Sequence, residues 1–170
     1  SPLRRKRQMC IRDGLEAALP AGATLATVSG RYYAMDRDKR WDRVEKAYNA
    51  ITAAEGPSAA TAQDAISAAY AADISDEFIL PTILPGYTGM QDGDGILCFN
   101  FRADRIRQLL DALVEPEFSG FVRKLVVSFA AVLGMPHYSD TLAKRLSVLF
   151  PPQELVNILG EVVARAGRTQ

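Results

Sequence analysis

Two groups of arginines stand out as residues that could do chemistry. Arg31, Arg37, Lys39 and Arg40 follow a short apolar run, and Arg102 and Arg105 sit at the turn between a strand-like segment and a helical one. In open α/β sheets ligands bind beyond the carboxyl ends of strands. Helix N-termini there present free N–H groups and a partial positive charge to anions. A guanidinium is a planar fork that matches carboxylate or phosphate bidentately. Arginines at two such places therefore suggest a small anionic ligand, phosphorylated for preference. The competing reading is ordinary: the same arginines pair with Asp36, Asp38, Asp42 and Asp104 as solvated salt bridges of little energetic weight. Residue types and spacing alone leave both open.

Other chemistry is poorly supported. Asp92-x-Asp94-Gly95 lacks the rest of a twelve-residue calcium loop and reads as a tight turn. His137 is the only histidine, which excludes a His-rich metal site. The chain has no G-x-G-x-x-G, no P-loop and no nucleophile elbow. Its two cysteines, Cys10 and Cys98, are too few for a disulfide scaffold and match no zinc spacing, which points to a reducing compartment. Cys98 alternates with apolar neighbours and is expected in the core. Tyr32 and Tyr33 could stack bases, whereas Trp41 lies on an apolar helical stripe.

The elements that must position the arginines follow from periodicity and breakers. Gly14 to Leu19 reads as a helix end stopped by Pro20, and Ala23 to Val28 as a short buried strand. Trp41, Val44, Ala47, Tyr48 and Ile51 recur at three- and four-residue intervals, predicting a helix over Asp38 to Ala54. Thr61 to Ala72 is a second, Ala-rich helix capped by Thr61. Prolines and glycines make 81–95 a loop. Ile96 to Phe101 is a strand, Ala103 to Leu113 a helix, Leu125 to Val132 and Leu146 to Phe150 further strands, and Glu154 to Ala166 a closing helix. Strands alternating with helices argue for an α/β fold with a largely parallel sheet.

Composition narrows the classes. At 170 residues one domain is expected, and 48% hydrophobic with 24% charged residues is ordinary globular usage. Nothing approaches the roughly 20 apolar residues of a membrane helix. Twenty basic residues balance twenty acidic ones, but five of the former and one of the latter fall in SPLRRKRQMCIRD at residues 1–13. The other 157 residues are thus net −4, which weighs against a nucleic-acid binder. The basic leader is no secretory signal, because no apolar core follows it. An alternative function remains a non-catalytic interaction or nucleic-acid-binding module using Arg4, Arg5, Lys6 and Arg7 with Tyr32 and Tyr33.

Two blocks carry a resemblance. Val28 to Trp41 reads VSGRYYAMDRDKRW and Asp92 to Arg105 reads DGDGILCFNFRADR. Both closely resemble blocks of the cofactor-independent (2,3-bisphosphoglycerate-independent) phosphoglycerate mutases, with EFILP at Glu77 to Pro81 and FPPQELVNILGEVVARAG at Phe150 to Gly167 resembling their intervening and following segments. The resemblance implies a cytoplasmic, monomeric glycolytic isomerase of two α/β domains, acting on 2- and 3-phosphoglycerate, with no nucleic-acid or membrane partner. In such enzymes an alkaline-phosphatase-like domain holds a phosphorylatable serine and two manganese ions, and an inserted transferase domain grips the glycerate. The phosphoryl group passes to the serine and returns to the other hydroxyl. By position in the motifs, Arg31, Arg37, Arg102 and Arg105 match the substrate-binding arginines.

The same comparison marks departures. No counterpart of the nucleophilic serine, the catalytic lysine or the manganese ligands is found, so catalytic and metal residues are expected to be absent and the 170 residues inactive on their own. The expected organisation is an unmatched basic extension at 1–13, artefactual or disordered, then a partial transferase domain at 14–150 with a mixed or parallel sheet flanked by helices. Residues 151–170 would form a linker and the opening helix of the phosphatase-like domain.

Overall fold

The computed structural model describes residues 14–15, 17–153 and 156–168. The basic extension, including Cys10 and Arg4 to Arg7, lies outside the described residues. Residues 14, 15, 17 and 18 are helical and the helix ends before Pro20, where the breaker residues place its stop.

The chain then forms β1 (Thr27–Val28), α1 (Arg31–Ala34), α2 (Trp41–Ala53), α3 (Ala62–Ala71), β2 (Thr82–Ile83), β3 (Gly95–Cys98), α4 (Ala103–Val114), β4 (Ala131–Gly134), β5 (Ser147–Val148) and α5 (Leu159–Arg165). The strands make a parallel sheet of order β3-β4-β5 and a separate antiparallel pair, β1 with β2. This is a mixed α/β architecture with a parallel sheet against helices, as the alternation of segments predicts.

Helix α4 organises the molecule. Its apolar residues are wide enough in angle to serve two neighbours. Leu109, Ala112 and Leu113 pack with Val44, Ala47 and Tyr48 of α2, while Leu110 packs with Cys98 of β3 and with Tyr138, Leu142 and Leu146. Burial of an aliphatic side chain contributes about 1.5–3 kcal/mol, so these two clusters hold the N-terminus of α4 in place. Cys98 is a core residue, as expected. The Tyr138 hydroxyl donates to the Asn100 carbonyl at 2.6 Å and accepts from the Met135 N–H at 3.2 Å, tying down the segment between β3 and α4.

Several boundaries differ from the predicted ones, each for a local reason. Helix α2 begins at Trp41 rather than Asp38, because the Asp36 carboxylate accepts the N–H groups of Asp38 and Arg40 at 3.0 and 2.9 Å. Lys39 in that turn has φ +57°. The strand expected over Leu125 to Val132 pairs only from Ala131. Upstream, its backbone is otherwise engaged: Ser128 O accepts from Gly93 N, Ser128 N donates to Asp92, and Leu125 O accepts from the Tyr48 hydroxyl. Thr82 and Ile83, expected in a loop, form β2. Two-residue strands carry no readable alternation, and their pairing is decided by β1 and by a bridge from Ser58 to Ile83. Helix α1 was too short to show a period. The closing helix starts at Leu159, after Asn157 at φ +58°, whose N–H donates to Glu161 at 2.7 Å in a capping arrangement. Thr61 caps α3 through Asp64 N, as predicted.

Candidate functional site

The first arginine block leaves β1 through Ser29 and Gly30, and Arg31 opens α1. Gly30 is needed there because the chain passes hard against residues 77–79: its N–H donates to Ile79 O at 2.8 Å, and an added methyl would lie 2.6 Å from Ile79 N. The strand preceding this block belongs to the antiparallel pair, so Arg31 does not stand at the carboxyl end of a parallel strand as the general rule would have it. Arg37 lies on the turn between α1 and α2. That turn is shaped by Asp36, whose side chain is only 3% exposed and also meets Arg43 at 3.5 Å. The second block does follow the parallel sheet. β3 ends at Cys98, Asn100 accepts the Arg102 N–H through its side chain at 2.9 Å, and Ala103 begins α4.

These elements bring the arginines together. Arg31, Arg102 and Arg105 line one cavity of about 580 Å³ with Met35, Phe99 and Phe101. Arg37 lines an adjoining depression of about 620 Å³ that also includes Lys39 and Asp104. Asp104 joins the two. Its Oδ2 lies 3.0 Å from Arg37 Nη1, 3.5 Å from Arg102 Nη2 and 3.9 Å from Arg105 Nε. Arg105 further donates to Met35 O at 3.5 Å. Arg31 is paired separately with Glu77 at 2.7 Å.

Both sequence readings of the arginines thus hold a part of the geometry. Each is paired with an acid, and they also converge. The Arg31, Arg37 and Arg102 side chains are 51%, 49% and 58% exposed and Arg105 29%. Ion pairs this accessible contribute about 0–1 kcal/mol, so an incoming phosphate or carboxylate can replace Glu77 as the partner of Arg31 with little loss. The hydrogen bond from Arg37, helped by the charge of Arg102, holds the Asp104 carboxyl below its ordinary range. The hydrogen bond to Glu77 likewise raises the Arg31 guanidinium above its ordinary value. The charges of Asp104 and Arg31 are therefore fixed through the neutral range.

Spacing had not singled out Glu77, Asn100, Phe99 or Phe101 as site residues. The signal that could have found them is the resemblance, since Glu77 lies inside EFILP and Phe99, Asn100 and Phe101 inside DGDGILCFNFRADR. Tyr32 and Tyr33 are engaged with the protein rather than free to stack bases: Tyr32 meets Phe78 at 4.9 Å between centroids and lies under Arg43, and Tyr33 packs on the α2–α4 cluster. Trp41 sits on that cluster too, against Phe118. Among the described residues no group of three or more His, Cys, Asp or Glu is placed to hold a metal ion. No described helix is long and apolar enough to cross a membrane.

Comparison with known proteins decides the family. The profile described as "BPG-independent PGAM N-terminus (iPGM_N)" matches residues 7–140. The chain belongs to the 2,3-bisphosphoglycerate-independent phosphoglycerate mutase family. The match opens at residue 7, within the basic extension, and covers both arginine blocks. The mutase of Rhodopseudomonas palustris is 56% identical over 156 residues, covering 92% of this chain and 31% of that protein. That of Gluconobacter oxydans is 59% identical over 152 residues, covering 89% and 30%. A crystal structure of Leishmania mexicana phosphoglycerate mutase at low cobalt concentration superposes with a TM-score of 0.75 at 30% identity, over 91% of this chain and 31% of that one. The chain spans about 30% of the length of the relatives it matches. Enzymes of this mutase family are metal-dependent, and the described residues here do not fit a metal cage.

Proposed function

We propose that the full-length protein carrying this segment interconverts 3-phosphoglycerate and 2-phosphoglycerate through a phosphoserine, and that this segment supplies Arg31, Arg37, Arg102 and Arg105 to hold the substrate. The reading is carried by one observation: in a chain of this family, three of those arginines line a single cavity and the fourth reaches them through Asp104. Phosphoglycerate presents a carboxylate and a phosphate of about −1.5 to −2 charges at neutral pH. Several guanidiniums on a helix start and a pinned turn can take both groups, fixing the glycerate carbons while the phosphoryl group leaves one oxygen and returns to the other. They also spread charge as it shifts onto the transferring oxygens.

The serine nucleophile and the metal ligands belong, on this proposal, to parts of the full-length protein other than the described residues. The metal is manganese, the enzyme works as a cytoplasmic monomer, and the 170 residues alone show no turnover. Calorimetric titration of 3-phosphoglycerate into the full-length protein tests the assignment. Binding should be saturable and fall as salt rises, and Arg102→Ala should weaken it by about tenfold or more, the equivalent of roughly 1.4 kcal/mol. Equal affinity in Arg102→Ala would remove that arginine from the site.

A further inference from the structure

The four arginines present a problem of their own: like charges on flexible side chains do not stay together unaided. We propose that Asp104 is the positioning residue that assembles the substrate-binding arginines, acting through them rather than on the substrate. The inference rests on the functional reading above and adds a residue to it.

Three observations support the assignment. One oxygen, Asp104 Oδ2, is the common partner of Arg37, Arg102 and Arg105. Two of these come from the first turn of α4 and its preceding residue, the third from the turn between α1 and α2, so the carboxylate bridges two separately folded pieces of backbone. Second, Asp104 does not line the cavity that Arg31, Arg102 and Arg105 share. It lines the neighbouring depression with Arg37, and so can offset guanidinium repulsion without occupying the place of the ligand anion. Third, both frames it joins are rigid. The Arg37 turn is fixed by Asp36 through two backbone N–H groups, and α4 is fixed by the clusters on its two sides. A single carboxylate between rigid frames can set a distance, which one on a mobile loop could not.

A carboxylate near an anion site could act in the opposite sense, simply repelling the substrate, and the two roles predict opposite signs. In the full-length enzyme, Asp104→Asn keeps the shape and removes the charge. If Asp104 positions the arginines, KM for 3-phosphoglycerate rises by about tenfold while kcat changes much less. The inhibition constant of inorganic phosphate should rise in parallel. Asp104→Glu, which restores the charge on a longer arm, should recover most of the loss. In an Arg37→Met background the Asp104→Asn effect should shrink, since one of its three partners is already gone. Far-ultraviolet circular dichroism and melting temperature should match the unsubstituted enzyme, and Asp104→Glu serves as the readout if Asp104→Asn does not fold. A lowered or unchanged KM in Asp104→Asn, or no recovery in Asp104→Glu, overturns the inference while leaving the functional reading intact. Absence of phosphoglycerate turnover by the unsubstituted full-length protein overturns both.

Discussion

Replacing Gly30 by alanine tests how the Arg31 side of the site is built. Gly30 has φ −68° and ψ 148°, a conformation alanine adopts freely, so any cost must come from contact rather than backbone strain. An added Cβ would lie 2.6 Å from Ile79 N and 2.7 Å from the Glu77 carbonyl carbon. Comfortable separations between such atoms are about 3.5 Å or more, so residues 77–79 must retreat by roughly 1 Å. That retreat stretches the 2.8 Å bond from Gly30 N to Ile79 O and the 2.7 Å pair between Arg31 and Glu77. Overpacking costs about 1–3 kcal/mol and a weakened backbone hydrogen bond about 0.5–1.5 kcal/mol. The exposed ion pair adds little. The expected destabilisation is therefore about 2–4 kcal/mol, read by urea unfolding with circular dichroism and the fluorescence of Trp41, the chain's single tryptophan. Gly14→Ala, where an added methyl meets nothing within 4 Å, is the control. A Gly30→Ala stability within about 0.5 kcal/mol of the parent, with unchanged m-value, would refute the close-approach argument.

Further outcomes can be measured on the same chain. Leu110, 1% exposed at the centre of the second cluster, should cost about 2–5 kcal/mol when changed to alanine; a loss below about 1 kcal/mol would contradict its placement. Asp36→Ala strips the acceptor from two N–H groups and should destabilise by about 1–3 kcal/mol, while in the full-length protein it weakens phosphoglycerate binding by freeing the Arg37 turn; a loss of stability with unchanged affinity would dissociate turn from site. The Tyr138 phenol is pushed up to about 12, first by burial and then by its contact with Cys98. Since the folded pKa exceeds the unfolded value of about 10, its contribution to stability is complete below pH 10 and lost as pH climbs toward 12. Tyrosinate absorbance compared between the parent and Tyr138→Phe should therefore show one late-ionising phenol, and ionisation near pH 10 would place Tyr138 in water.

What could be read from the sequence follows physical scale. Helices α2, α3 and α4 were legible because each runs ten or more residues, long enough for apolar positions to repeat and for a cap such as Thr61 to mark an end. The parallel strands were legible as apolar runs, but their ends were not. Ala131 starts β4 because Gly95 is its partner, a fact of pairing that no local pattern carries. β2 and α1, at two and four residues, leave no periodic trace. The candidate arginines were legible by type and by motif, and the structure brings Arg31, Arg102 and Arg105 to one cavity. Their acid partners were harder. Asp104 could be suspected as a neighbour in sequence, yet its link to Arg37 spans 67 residues, and that of Arg31 to Glu77 spans 46. The first pairing is settled only when the turn before α2 meets the start of α4, the second only when α1 packs against residues 76–78.

The division of labour between the two kinds of residue explains why the site can be charged without weakening the fold. Stability comes from the apolar clusters on either side of α4, where Val44, Ala47, Tyr48, Leu110, Ala112 and Leu142 are almost wholly removed from water. The arginines contribute little to it, because their pairs are exposed and water-screened. A guanidinium in such a pair is already oriented and counterbalanced, yet its exposed face still takes a stronger partner. A phosphate offers Arg31 more charge and three acceptor oxygens where Glu77 offers a single carboxylate. The ligand therefore meets groups that are ordered before it arrives and held only weakly, which keeps the ordering cost of binding low.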